Sequence, residues 1–345
     1  MKRNGAVALT GILFFVFISV FSDDFIHGIK AGLVNCAEIL IPSLFPFILA
    51  SSVSAYGRLP LRAKKFLDPV SDFLFGLPSE TLPAIILGQA GGYLSGASTI
   101  RTLLLNKTIN ENDAERVLLF SVNAGVGFSV NAVGNALLDS RQAGKVIFAS
   151  LCISSLIMGI ILRFFKSDTV SAVSAKKNNI SFSEALVNGV SSSATATLTS
   201  CAFVLIFSGI LSVINTHIGT GTAVTAISCL LEITNGCISL AGNTSLPVIA
   251  AACAFGGLCV HMQIFFVSQP LKLNLFRFYL FRLVHSISAF LICNLILLVF
   301  PVHVSASVCL SENIGIFSFS APAAISLLFL CALLILDLDN NKEIC

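Results

Sequence analysis

From Val146 to Phe165 the chain runs for twenty residues with a single charge, Arg163, and it repeats this habit along most of its length. About 20 apolar residues in a helix cross the ~30 Å hydrocarbon core of a bilayer. Eight stretches meet that test: Ala6–Phe21, Ala31–Tyr56, Val117–Leu138, Val146–Phe165, Leu186–Ile214, Pro247–Val267, Phe278–Phe300 and Phe319–Leu336. Two more, Thr81–Ile100 and Thr222–Leu240, are apolar but rich in Gly, Ser and Thr. Composition agrees. Apolar types make up 56% of the 345 residues and charged types 11%, less than half the roughly 25% of a soluble protein. A water-soluble fold of this size cannot cover its surface with so few charges, so the bilayer is the expected partner. Disorder and a disulfide-stapled secreted fold are excluded on the same ground. A net charge of +3 gives no footing for nucleic acid.

The eleven cysteines do not form a redox or metal pattern. Nine of them, Cys36, Cys152, Cys201, Cys229, Cys237, Cys253, Cys259, Cys293 and Cys331, sit inside apolar stretches with no CxxC pair and no His at ligand spacing. Such thiols act as small packing residues. No metal and no cofactor is expected.

Orientation follows from Lys and Arg, which concentrate on the cytoplasmic side. The first span follows Lys2 and Arg3 and lacks a small-x-small cleavage site, so it reads as an uncleaved helix with a cytoplasmic N-terminus. If both Gly-rich stretches enter the membrane and return, 17 of the 20 Lys and Arg fall inside, and only Lys30, Arg141 and Lys145 lie outside. The expected fold is all-α and polytopic: about eight transmembrane helices plus two re-entrant or broken Gly-rich hairpins.

The same order of elements occurs twice. Leu33-Val34-Asn35 and Leu186-Val187-Asn188 each open a long span, followed by a Gly/Ser/Thr-rich stretch, a span with paired glycines and a very apolar helix. Ala124–Asn131 lies over Ala254–His261, matching Ala124 with Ala254, Gly127 with Gly257 and Val130 with Val260. The chain thus divides into a first helix (1–24), repeat 1 (25–165), a polar cytoplasmic linker (166–180), repeat 2 (181–300) and a last helix with a short tail (301–345). Under the charge-derived topology the repeats are inverted, and inverted repeats with interrupted segments point to a binding site at the midplane.

Irregular backbone at membrane depth survives only where protein or a watery cavity satisfies it. Gly88–Ser98 holds four glycines, which weaken a helix and allow close approach of backbone. Gly91, Gly92 and Ser95 are its candidate ligand contacts; the alternative is a small-residue packing interface. In the second Gly-rich stretch Glu232 is a carboxylate among apolar residues, beside Asn235. Ionisable groups there usually face a cavity or a partner, and a purely structural pair is the competing reading. His261 and Gln263 follow Gly256-Gly257, and Asn131 is the repeat-mate of His261. At 100° per residue Asn123, Asn131 and Asn135 share one helix face. Catalysis finds no motif: Gly92–Gly96 has one residue too many for GxSG, and GxGD, HExxH and Walker loops are absent.

Taken together, Pro42–Phe47, Gly92–Ala97, Leu231–Gly236 (LEITNG) and Phe255–Gln263 (FGGLCVHMQ) resemble the YlbJ family of sporulation integral membrane proteins, over about residues 25–300. The family tends to have Pro after the Tyr, where this chain has Leu94. The resemblance implies nucleoside-recognition (gate) domains, a place in the cell membrane of an endospore-forming bacterium, and a role in spore formation. The expected activity is transport of a small polar solute, passive or coupled to H+ or Na+. The alternative is a non-transporting scaffold for the spore envelope or coat, and a homo-oligomer is left open.

Overall fold

A computed structural model describes residues 2–57, 60–165, 181–219 and 221–302. The linker 166–180 and the span Phe319–Leu336 lie outside the described residues. Among the described residues every regular element is helical.

The first half holds α1 (Lys2–Val20), α2 (Ser22–Asn35), a π-helical turn at Cys36–Leu40, α3 (Ile41–Tyr56), α4 (Leu61–Phe75), α5 (Leu82–Gly91), α6 (Tyr93–Leu105), α7 (Glu111–Ser121), a π-helix at Gly127–Leu137 and α8 (Arg141–Leu162). The second holds α9 (Phe182–Ile218), α10 (Thr222–Leu231), α11 (Ile233–Leu240), α12 (Leu246–Phe255), α13 (Gly257–Val267) and α14 (Leu275–Val299). Starts are set by short polar side chains that accept from orphan N–H groups: Asn110 from Asp113, Ser140 from Ala143, Ser181 from Glu184 and Asn274 from Arg277.

Among the described residues, five helical stretches are long and apolar enough to cross a membrane: Ser22–Tyr56, Arg141–Phe165, Phe182–Ile218, Leu246–Val267 and Leu275–Val299. The pair Arg62–Phe75 and Ser79–Gly91, bent by 83°, adds a sixth if counted as one span. The described residues are thus all-helical, with the several long apolar helices of a multi-pass membrane protein. Ala6–Phe21 is helical up to Val20, within α1, whose apolar part, Gly5–Val20, is short for a crossing. One of the eight expected spans needs correction. Val117–Leu138 is not continuous, because Val122–Gly125 is unwound between α7 and the π-helix. Polarity hid one element altogether: α4 carries Arg62, Lys64, Lys65, Asp68 and Asp72 and was invisible to an apolar-run criterion.

Some elements follow the same order in both halves, although α4 has no counterpart among the described residues of the second. A long helical unit (α2–α3, then α9) precedes two short helices packed on each other (α5–α6, then α10–α11). Next comes a helix broken near a glycine (α7 into Gly127–Leu137, then α12 into α13), and then a long apolar helix (α8, then α14). Helix resumes at Gly127 in the first half and Gly257 in the second, the two glycines that the sequence alignment pairs.

Charge placement also changes. Arg116 is 8% exposed and Arg282 is fully buried, so both cations are held inside the protein rather than in surface loops.

Candidate functional site

Each Gly-rich stretch is a hairpin broken by one residue. α5 ends and α6 begins around Gly92, whose φ of +102° and ψ of 179° suit only glycine. α10 ends and α11 begins around Glu232, which takes an extended conformation (φ −144°, ψ 117°) open to any residue. Four residues on, Gly96 donates its N–H to the Gly92 carbonyl and Gly236 donates to the Glu232 carbonyl, at 3.2 and 2.9 Å. The arms are pinched at those glycines. A Cβ on Gly96 would lie 3.0 Å from the Gly88 Cα, and one on Gly236 2.7 Å from the Cys229 Cα. Gly92 and Glu232 therefore occupy matching places in the two hairpins.

The break of the following helix packs against each hairpin tip, backbone on backbone. A Cβ on Gly125 would stand 2.6 Å from Gly92 N, and one on Gly257 3.4 Å from Glu232 N. Such contacts bring four interrupted segments into one buried zone, two from each half.

Breaking helices at this depth orphans backbone groups, and side chains take them up. At the end of α7, Arg282 donates to the Leu119 and Val122 carbonyls at 2.7 and 2.8 Å. Ser155 Oγ donates to the Phe120 carbonyl. At the end of α12, Tyr93 Oη donates to the Cys253 carbonyl and His261 Nε2 donates to Phe255 O at 2.8 Å. Tyr93 belongs to the first half and Arg282 to the second, so each half caps a break in the other. Around them Gln89 Nε2 donates to Ser155 Oγ, and Asn123 Nδ2 donates to Gln89 Oε1. His285 Nε2 donates to Leu151 O at 3.2 Å.

Glu232 is 1% exposed. Its Oε1 accepts from Thr234 N at 3.0 Å, and its Oε2 accepts from Asn235 N at 2.8 Å and Asn235 Nδ2 at 2.9 Å. The carboxylate therefore sits on the positive end of α11, where three donors and the helix dipole favour its charge. Asn235 Nδ2 also donates to Ser208 Oγ on α9 at 3.2 Å.

The site residues foreseen from the sequence divide into three groups. Glu232 and Asn235 are joined directly. Gly91, Gly92 and Ser95 lie together at the first tip, Ser95 Oγ donating to Gly91 O at 3.2 Å. His261 and Gln263 are buried on α13. His261 stands edge-on to Phe255, Phe278 and Tyr279 with ring centroids 5.0–5.3 Å apart, and its ring fills a capping role at the α12 end. Gln263 Nε2 lies 3.5 Å from Ser200 O on α9 and 3.2 Å from Cys259 Sγ. Asn131 stands apart: it is exposed on the π-helix, as is Asn135, whereas Asn123 is fully buried. A shared face assumed 100° per residue, and unwinding at Val122–Gly125 followed by i→i+5 winding removes that register.

Sequence reasoning missed Arg282, Tyr93 and His285. The signal for Arg282 was a lone cation inside an apolar helix, which costs too much to sit there without acceptors. The eight described cysteines are all free thiols. No group of three or more metal-ligating side chains occurs among the described residues. No protein-family model, no curated protein and no solved structure matches the chain.

Proposed function

We propose that the protein is a membrane transporter for a small polar solute, acting at the interrupted segments where the two halves meet. The observation that carries this reading is the matched pair of broken hairpins, one tipped by Gly92 and the other by the buried carboxylate of Glu232. A chain that needed only a scaffold in lipid could keep its helices continuous and avoid burying Glu232, Arg282 and four backbone breaks. In this account the solute contacts Glu232 and Asn235 from the second hairpin and the buried backbone near Gly91, Gly92 and Ser95 from the first, reached when the two halves part. Transport is passive or coupled to H+ or Na+, with Glu232 the group on which the coupling ion acts. The N-terminus is cytoplasmic and the two repeats are inverted. On this reading, supported by the resemblance to the YlbJ family noted in the sequence, the protein works in the cell membrane during spore formation.

A ligand-induced thermal-shift screen of the purified full chain against nucleosides, amino acids, dicarboxylates and dipicolinate tests the binding half of the reading. At least one compound raises the melting temperature of the wild type, and Glu232→Gln loses that shift. A panel without any shift, or a shift that Glu232→Gln retains in full, contradicts it.

A further inference from the structure

The second half contains a cavity of about 1200 Å³ between α10, α11, α12 and α14. It is distinct from the buried breaks: neither Glu232, Asn235, His261 nor Gln263 lines it. Three properties define what it can hold.

First, among the described residues no Asp, Glu, Lys, Arg or His lines it. A charged guest would lose its hydration and meet no counter-charge, at a cost of several kcal/mol. Second, its polarity is graded along the helices. Thr222 and Thr225 from the start of α10 and Asn243 and Thr244 from the loop before α12 form one end. Phe255 from the end of α12 and Leu283 from α14 form the other. Third, the cavity is half-open rather than sealed: Leu230, Ile238 and Leu283, all lining residues, are 51%, 40% and 52% exposed. Water fills only space where it finds two or more polar partners. The Thr/Asn end offers such partners and the Phe255–Leu283 end does not.

We infer that this cavity is a binding site for an uncharged amphiphilic small molecule, its polar end among Thr222, Thr225 and Asn243 and its apolar part against Phe255 and Leu283. The lining suits such a guest, since ligand sites are mostly apolar with a few placed polar groups, and the half-open space of about 1200 Å³ exceeds the roughly 300–1,000 Å³ that such a ligand fills. This site goes beyond the transport reading and stands without it. Its consequence reaches the breaks all the same. Cys229 lines the cavity and also backs directly onto Gly236 and Gly257, and the Phe255 carbonyl holds His261. A guest wedged there fixes α10 against α12, and with them the second hairpin.

The test uses the full chain in lipid nanodiscs with Cys229 as its single cysteine. The readout is the rate at which a neutral methanethiosulfonate modifies Cys229. Monooctanoylglycerol is the neutral probe, with octanoate and octylammonium as its charged counterparts. The neutral probe slows modification at least about tenfold, and the charged ones leave the rate within about twofold. Ala252→Trp, which fills the apolar end, removes the protection. Asn243→Leu, a milder change at the exposed polar end, weakens it. Equal protection by the charged probes, no protection by the neutral one, or a Cys229 that the neutral reagent never reaches overturns the inference. Solute flux does not enter this readout, so failure of the transport reading leaves it unaffected.

Discussion

Arg282, eight residues into α14, donates from Nη1 to the carbonyl of Val122, the first unwound residue after α7, at 2.8 Å. A fully buried guanidinium from the second half thereby terminates a helix of the first. Its second arm reaches Leu119 O at 2.7 Å, and its face lies 5.6 Å from the Phe278 ring centroid. A forked donor with a fixed geometry suits two neighbouring carbonyls in a way that a point charge cannot.

Arg282→Met leaves the Leu119 and Val122 carbonyls buried without donors, at about 1–3 kcal/mol for each. The expected outcome is a clear fall in thermal stability of the detergent-solubilised protein. Arg282→Lys recovers part of it, because one ammonium can serve one carbonyl but not hold both in the same geometry. Equal stability of Met and Arg forms contradicts the capping role.

Tyr93 makes the reciprocal link, from the first hairpin to Cys253 O. Tyr93→Phe keeps the ring against Gly256, where its Cζ lies 3.3 Å from a built Cβ, and removes only the donor. The cost is about 1–2 kcal/mol. Measured with Arg282→Met in a double-mutant cycle, the two losses are non-additive by at least ~0.5 kcal/mol, because both hold the same interface between halves. Strict additivity would separate the two caps.

Backbone contact at the breaks gives a steric prediction. Gly125→Ala places a methyl 2.6 Å from Gly92 N, and Gly88→Ala places one 2.2 Å from the Ser121 carbonyl oxygen. Both must push rigid backbone apart, which costs at least the 1–3 kcal/mol or so typical of overpacking. Gly11→Ala is the control: nothing lies within 4 Å of its Cβ position, and Ala is the better helix former by about 1 kcal/mol. Expression and melting of the three variants in parallel decide the matter.

Asn123 and Asn131 separate the structural account from the helical-wheel account. Asn123→Ala breaks the chain of donors running through Gln89 and Ser155 to the Phe120 carbonyl, and costs about 1–3 kcal/mol. Asn131→Ala removes an exposed side chain and changes stability by less than about 0.5 kcal/mol. Comparable losses at both positions would restore the shared face.

Much of this architecture is legible in the chain. The spans from Val146, Leu186, Pro247 and Phe278 appear as helices within a few residues of their sequence bounds, because a long apolar run in lipid has no other way to satisfy its backbone. The hairpins are legible as clusters of Gly, Ser and Thr, and Glu232 as an ionisable group where none is cheap. What failed is instructive. Val122–Gly125 reads as one more piece of an apolar span, since unwinding there depends on Arg282, which lies 160 residues away and gives no local signal. Arg282, near the start of its helix, falls among the 17 Lys and Arg assigned to the cytoplasmic side. Asn131 is a site candidate as the repeat-mate of His261, and the face it would share with Asn123 rests on a periodicity that a π-helix does not keep.

The central claim is that the interrupted segments carry a solute across the membrane, and uptake into proteoliposomes measures that directly. Wild-type chain, reconstituted and presented with labelled solutes from the thermal-shift panel, takes up at least one of them faster than empty liposomes. Glu232→Gln, reconstituted to the same density and melting within a few degrees of wild type, abolishes the uptake. Uptake by Glu232→Gln at the wild-type rate, or none by either protein while both remain folded, contradicts the account.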